Sequence, residues 1–596
     1  QTPPRRRERP EREAPEIDRV ALPGAQPAPT PLAPLAMAPA PAPLANFAGL
    51  DFSTWGAGHP PDTNGDVGPV YYIQSINSSI GIYRKSDGAQ IAAFTLDTFM
   101  SQGNFGNLCD TDNFGDPVIL YDTFEDRWVI TDFAFQVDGG GNVVNPPGAF
   151  ECIAVSKSGD PVSGGWNFYS INTAGGLGDY PKFGIWTDGI YMSANMFGYA
   201  SGAGFLGPRV YAFNKAQMYA GAPSVQVVTF DAPGDDFTLL PSNARLQTGT
   251  PPAGTPNYFI STWQYLNAVT VYKFHVDWNH ISASTFTGPD VPLASTSWPN
   301  ANPANAPSQG GNALDVLAIR AMMQNQYSNI GGVESLWTAH TVARANTTGF
   351  AAPRWYQVGV TGGVVAANIA QAATWDPDGA NVMHRFMPSV AVNRVGDLAL
   401  GYSTSSSTTK PAIKYAGRLA SDPVNTFSQT EQVLIQGAGT QTGSCGGTCA
   451  RWGDYSAMTL DPDGCTFWYT NEYYAANGLN YQTRIGSFAY PTCSAAGTGT
   501  LQGTVTASVG GAPIDGVTIM LGSRTTTTNA SGAYAFAGLT SGTYPAISAS
   551  KAGHVTAAAA NIVVNDGATT IQDFALSAAP ASACLVDTTQ SDFQAG

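Results

Sequence analysis

One pattern recurs seven times along this chain and leaves few folds open to it. RWGDYSAMTLDPDGCTFWYTNEYY, at 451–474, reads as a short apolar strand, a DPDG turn and a second, aromatic strand. The same shape returns in MPSVAVNRVGDLALGYSTS (387–405), GDPVILYDTFEDRWVITDF (115–133) and YPKFGIWTDGIYMSANM (180–196). Weaker copies lie at 243–263, 319–341 and 62–79. Their spacing of roughly 50–75 residues leaves room for a four-stranded sheet and its loops. Further strand candidates, such as RVYAFNKAQM and AVTVYKFHVD, fall between the copies. The pattern predicts an all-β fold, a seven-bladed β-propeller over 47–497, with each copy supplying the two innermost strands of a blade. Such strands are short and apolar because both faces of a blade pack on its neighbours.

Composition agrees with many strands and tight turns. Among 596 residues there are 66 Gly and 42 Pro, 11% are aromatic and only 12% are charged. The length exceeds one ordinary core, so two or more domains are expected. A formal net charge of −16 argues against nonspecific binding to nucleic acid. No apolar run reaches the length of a membrane span. Gln1 fits a mature terminus left by signal removal, which predicts a secreted protein or one on a bacterial cell surface. Oligomeric state is left open.

Either side of the propeller the pattern changes. Residues 1–46 are charged, then rich in Pro and Ala, and read as a disordered tether. Residues 498–579 alternate apolar and polar side chains with turns every 8–12 residues, which predicts a small β-sandwich. Residues 580–596 read as a linker toward further chain. Seven cysteines lack the CxxC and His spacing of a zinc site. Neighbourhood along the chain suggests disulfides Cys109–Cys152, Cys445–Cys449 and Cys465–Cys493, with Cys584 left over.

Two constellations carry chemistry. Asp62, Asn64 and Asp66 alternate as in the first turn of a calcium loop, although Ile73 stands where the bidentate acid of a full loop would be. An Asx-rich turn without metal is the other reading. Calcium is therefore the one cofactor expected. Aligning the seven copies sets Asp66, Asp116, Lys182, Arg245, Arg320, Met387 and Asp454 at comparable positions, with Arg385 and Arg451 close by. Six of those seven are charged, and in a propeller they would converge on one mouth of the central channel, with Asp454 at its wet rim. They would form either a ring of ion pairs closing the hub or a polar site for a sugar or carboxylate. No nucleophile elbow, HExxH, Walker loop or dinucleotide fingerprint occurs, so no catalytic residue is assigned.

The stretch GTV…PIDGVTI…TTTNASGAYAF…GLTSGTYPAISASKAGH, with Tyr534 and Phe536, resembles the carboxypeptidase regulatory-like domain. That resemblance implies a transthyretin-like (Ig-like) sandwich, a structural and adhesive accessory without catalytic residues. GHPPDTNGDVGP, GDPVILYDTFEDRW and RWGDYSAMTLDPDGCTFWYTNEYY resemble a group of bacterial exported propeller proteins, itself remotely similar to sialidase-like folds. Fold follows from this far more than function. The expectation is a non-catalytic binding or adhesion protein that recognises glycans or another cell-surface ligand through the propeller mouth or the sandwich. The rival is a secreted sialidase-like glycoside hydrolase recruiting Arg245, Arg320, Arg385, Tyr455 and Glu472, although the SxDxGxxW turn of those enzymes is absent.

Overall fold

The structure is a computed structural model and describes residues 14–23, 37–300, 302–344, 347–378, 383–442 and 451–579. The chain divides into two compact units, Gln1–Gly497 and Thr498–Gly596. The first is a seven-bladed propeller. Each copy of the strand–turn–strand pattern opens an antiparallel sheet of four principal strands. Blade 1 shows the plan: Asn64–Val67, Tyr71–Ile76, Ser79–Arg84 and Gln90–Thr95 follow one another outward from the axis. In blade 2 two short strands, Asn113–Gly115 and Ile119–Asp122, share the innermost place beside Arg127–Ala134. The remaining innermost strands are Leu177–Ile185, Leu240–Asn243, Met322–Ile330, His384–Val392 and Ala457–Leu460. Each meets the innermost strand of the next blade, and that of blade 7 meets that of blade 1, so the ring is closed.

Strands converging on an axis leave backbone groups facing a neighbour that belongs to another sheet. Buried groups of this kind need partners, and short polar side chains supply them. Asn64 Oδ1 accepts from Ile119 N at 2.9 Å, Gln326 Oε1 from Val392 N at 2.8 Å, and Ser389 Oγ from Met458 N at 2.8 Å. Blades 4 and 5 come closer still, and their innermost strands pair directly in parallel, Ser242 opposite Asn325.

The ring shuts with a strand from the far end of the chain. Ala45–Asp51 pairs antiparallel with Gln482–Ala489 and is the outermost strand of blade 7. Phe47 seats between Tyr83 and Trp468, with ring centroids 5.6 and 6.3 Å away. An expected tether boundary at 46 therefore cuts through this strand. Other parts of the supposed tether also lie on the propeller. Ala38–Pro39 pairs in parallel with the edge of blade 6, Val20 bridges to Tyr265, and the Arg19 guanidinium stacks 4.3 Å above Trp263. Disulfides join Cys109 to Cys152 and Cys465 to Cys493, as the spacing predicts. Cys445, Cys449 and Cys584 fall outside the described residues.

The second unit is a sandwich of two sheets. Thr498–Ala507 pairs with Ala533–Thr540, Thr569–Ile571 and Phe574–Leu576 in one, and Thr518–Leu521 sits between Arg524–Thr527 and Gly542–Ser550 in the other. Period-two burial puts Leu501, Val505, Ile519, Leu521 and Ile547 in its core. No helix among the described residues is long and apolar enough to cross a membrane.

Candidate axial site

A backbone feature, not a side chain, repeats sevenfold at the hub. Each blade carries a left-handed residue within its innermost strand or up to four residues before it: Asp62 (φ 48°), Asp116 (49°), Tyr180 (54°), Thr238 (58°), Ile319 (79°), Met387 (52°) and Gly453 (63°). Six of the seven are not glycine, and Ile and Thr are β-branched, for which this conformation is costly. The repeat corrects the register inferred from charge. Only Asp116 and Met387 stand at the equivalent position. Asp66 lies four residues too far along, about 13 Å of strand, and Arg245 lies beyond the end of its own innermost strand.

The eight residues expected at one wet mouth are all buried, none more than 7% exposed, and they separate into groups. Asp66 pairs with Arg245 and also accepts from Tyr121 N and Val67 N at 2.8 and 2.7 Å. Burial raises its pKa, against the pull of Arg245. Arg385 turns into blade 6, where it binds Glu431 at 2.7 Å and Asp378 at 3.2 Å. Arg320 packs over Tyr180 and Phe237, 5.2 and 5.0 Å from the ring centroids, and its Nε has no hydrogen-bond partner. The hub keeps Asp116, Lys182, Arg451 and Asp454, and Asp454 sits in the interior, not at a rim.

Around them the axis is filled. Tyr180 reaches across from blade 3, its hydroxyl 3.3 Å from the Asp454 carbonyl and 3.4 Å from that of Ala321. Tyr455 packs against it edge-on, ring centroids 5.8 Å apart. The Lys182 ammonium lies between these two rings, 3.5 and 3.9 Å from their centroids. Burial lowers its pKa to about 8, although Asp116, Asp454 and Asp62 pull the other way. Arg451 grips Asp454 at 2.5 Å.

The expected calcium triplet is split. Asn64 Oδ1 accepts from Ile119 N, Asp66 belongs to Arg245, and only Asp62 faces the hub. There Asp62 accepts from Asp454 N and Asn77 Nδ2, both at 2.6 Å, and Asp116 accepts from Tyr180 N at 3.1 Å. Asp62, Asp116 and Asp454 thus form a single buried carboxylate group, with one oxygen of each within 4.8 Å of the others. Two more acids border it that sequence reasoning did not place there. Glu472, raised well above its ordinary pKa by burial and then by Asp62, and Glu151, raised by burial and then by Asp116, are buried with both carboxylate oxygens unpartnered. Glu472 does stand in the opening motif, but as the last but one residue of the aromatic strand it carries no sign of facing Asp62.

A cavity of about 1040 Å³ opens beside Arg320. Trp263, Asn302, Asn305 and Asp315 line it, and residues 14–19 form one wall.

Fold and hub together define an all-β propeller whose axis is closed by buried aromatic and charged side chains. Residues 500–577 match the family model of the carboxypeptidase regulatory-like domain, and the second unit is such a domain. No curated protein matches the chain. Among solved structures, a Hadza microbial sialidase is 11% identical over 71% of this chain and 74% of its own, with a TM-score of 0.32. A protein of unknown function from Dyadobacter fermentans is 10% identical over 64% and 95%, TM-score 0.35. The Penicillium chrysogenum α-L-arabinanase, complexed with arabinobiose, is 11% identical over 63% and 92%, TM-score 0.27. These values are too low to transfer any residue's role.

Proposed function

We propose that this is an exported binding or adhesion protein that holds a glycan, secreted or on a bacterial surface, in the cavity beside Arg320 without turning it over. The lining of that cavity carries the reading. Trp263, its face already capped by Arg19, closes one side, while Asn302, Asn305 and Asp315 offer planar polar groups to hydroxyls. Arg320, also in the lining, adds positive charge suited to an acidic sugar. Two disulfides fit an oxidising compartment. The hydrolase alternative asks Arg245, Arg320 and Arg385 to meet around one carboxylate. They are instead committed to Asp66, to the Tyr180 ring, and to Glu431 with Asp378.

A glycan array probed with the full chain and with Asn302→Ala/Asn305→Ala tests the proposal. The expected result is retention of a defined glycan set by the full chain and its loss in the variant. No retained glycan refutes the binding reading. Turnover of a glycoside panel, sialosides included, would replace it with the hydrolase.

A further inference from the structure

We propose that Asp62, Asp116 and Asp454 together bind one hard divalent cation of calcium's class on the propeller axis, with Glu472 as a further oxygen donor. The site lies at the seam of the ring, on blades 7, 1 and 2, the point where the N-terminal and C-terminal strands of the propeller meet.

Geometry is the first support. Two oxygens on one calcium ion, each at 2.3–2.6 Å, are at most about 5 Å apart. The three Asp carboxylates each place an oxygen within 4.8 Å of the other two, so one coordination sphere can span them. They come from three blades and are held by backbone: Asp62 and Asp116 are themselves left-handed, and Asp454 follows left-handed Gly453. All three are buried, and the donors are oxygen alone, without the His or Cys that would suit zinc.

Glu472 is the second and independent support. It is 1% exposed, and neither of its carboxylate oxygens has a hydrogen-bond partner. Buried polar atoms are almost always partnered, so two orphans on one acid call for a ligand. Its Oε1 lies 3.5 Å from where a Cβ would stand on Gly453, the residue before Asp454, which turns the carboxylate toward the Asp group.

Charge is the third. Asp62, Asp116, Asp454, Glu472 and Glu151 are gathered here with three cations, Lys182, Arg320 and Arg451. With Asp179 also facing Lys182 the acids outnumber the cations, and a bound cation would offset the burial that holds Glu472 and Glu151 toward the neutral form.

The test uses the full chain. Plasma mass spectrometry counts bound metal, and calorimetric titration of chelator-treated protein with calcium chloride measures uptake. One calcium ion per chain is expected, either carried through purification or taken up on titration, with a higher melting temperature in its presence. Asp116→Asn keeps an acceptor for Tyr180 N and is expected to weaken calcium binding at least tenfold. Should that variant fail to fold, Glu472→Gln serves, because no hydrogen bond in the fold depends on its oxygens; a weaker affinity is again expected. Absence of any bound or titratable calcium overturns the proposal. Undiminished binding in the variants overturns it equally, by placing the ion elsewhere.

Discussion

Removing one partner of the Asp66–Arg245 pair is predicted to cost more than removing both. The pair joins blade 1 to blade 4 and is sealed from solvent, each side chain about 1% exposed. The two halves are not equally supported. Without Arg245, Asp66 keeps two backbone donors, Tyr121 N and Val67 N. Without Asp66, the Arg245 guanidinium keeps little, because its Nε and Nη1 already lack partners. Stranding a buried charge costs roughly 3–5 kcal/mol. Hydrogen bonds to a charged group contribute about 1.5–3 kcal/mol each, so Arg245→Met falls near the lower end and Asp66→Ala near the upper. In Asp66→Ala/Arg245→Met no charge is buried, and apolar replacement of such pairs is neutral or stabilising by about 1–4 kcal/mol. Urea unfolding of the three variants, closed as a double-mutant cycle, reads the terms separately. A double variant whose loss equals the sum of the single losses would refute the reasoning, as would an Arg245→Met that loses more than Asp66→Ala.

Gly401→Ala should destabilise the propeller by about 1–3 kcal/mol. Its Cβ would stand 2.4 Å from the ring of Tyr469, which cannot swing away because its hydroxyl bonds both Ser456 and Asn471; unchanged urea unfolding would contradict this. Non-reducing peptide mapping should recover Cys109–Cys152 and Cys465–Cys493, and opening the latter with Cys493→Ser should cost about 3–4 kcal/mol on the chain-entropy account. His340 is buried between Ile319 O and the Tyr356 hydroxyl, and burial lowers its pKa to about 3. The unfolded chain takes the proton near pH 6.5 and the folded one does not, so this residue's contribution is lost as pH falls from 6.5 toward 3. The stability difference between the natural chain and His340→Gln should shrink by about 1.4 kcal/mol per pH unit over that window, and a pH-independent difference would show the imidazole to be readily protonated in place.

The strand–turn–strand units were legible because their cause is local. An apolar run, a turn of Asp, Gly or Pro, and an aromatic run are written contiguously, as at Ala457–Tyr473. The hub was not legible, because what repeats there is a dihedral angle. Asp62, Tyr180, Thr238, Ile319 and Met387 share φ and nothing in side-chain chemistry. An alignment on charge therefore drew in Asp66 and Arg245, which belong to each other. Asp62 stood in one expected set, and Asp116 and Asp454 in another; nothing in the chain says that residues 54 and 392 positions apart share a space. The strand at 45–51 was hidden by the Pro- and Ala-rich stretch before it and by a partner at the other end of the propeller.

That strand sets a timetable. A chain is made from one end, at about 5–20 residues per second, and Ala45–Asp51 is finished about 430 residues before Gln482–Ala489, its only sheet partner among the described residues. For roughly twenty to ninety seconds of synthesis the earliest strand waits with both hydrogen-bonding edges open, a template for any passing strand. Six blades can form meanwhile, but only as an arc with two exposed ends. Completion and closure are therefore a single event: a chain cut short anywhere before residue 489 is left with an unlatched arc, recognisable by a protease or chaperone that grips an unpaired edge, whereas the full-length chain hides that edge at the moment its last blade arrives.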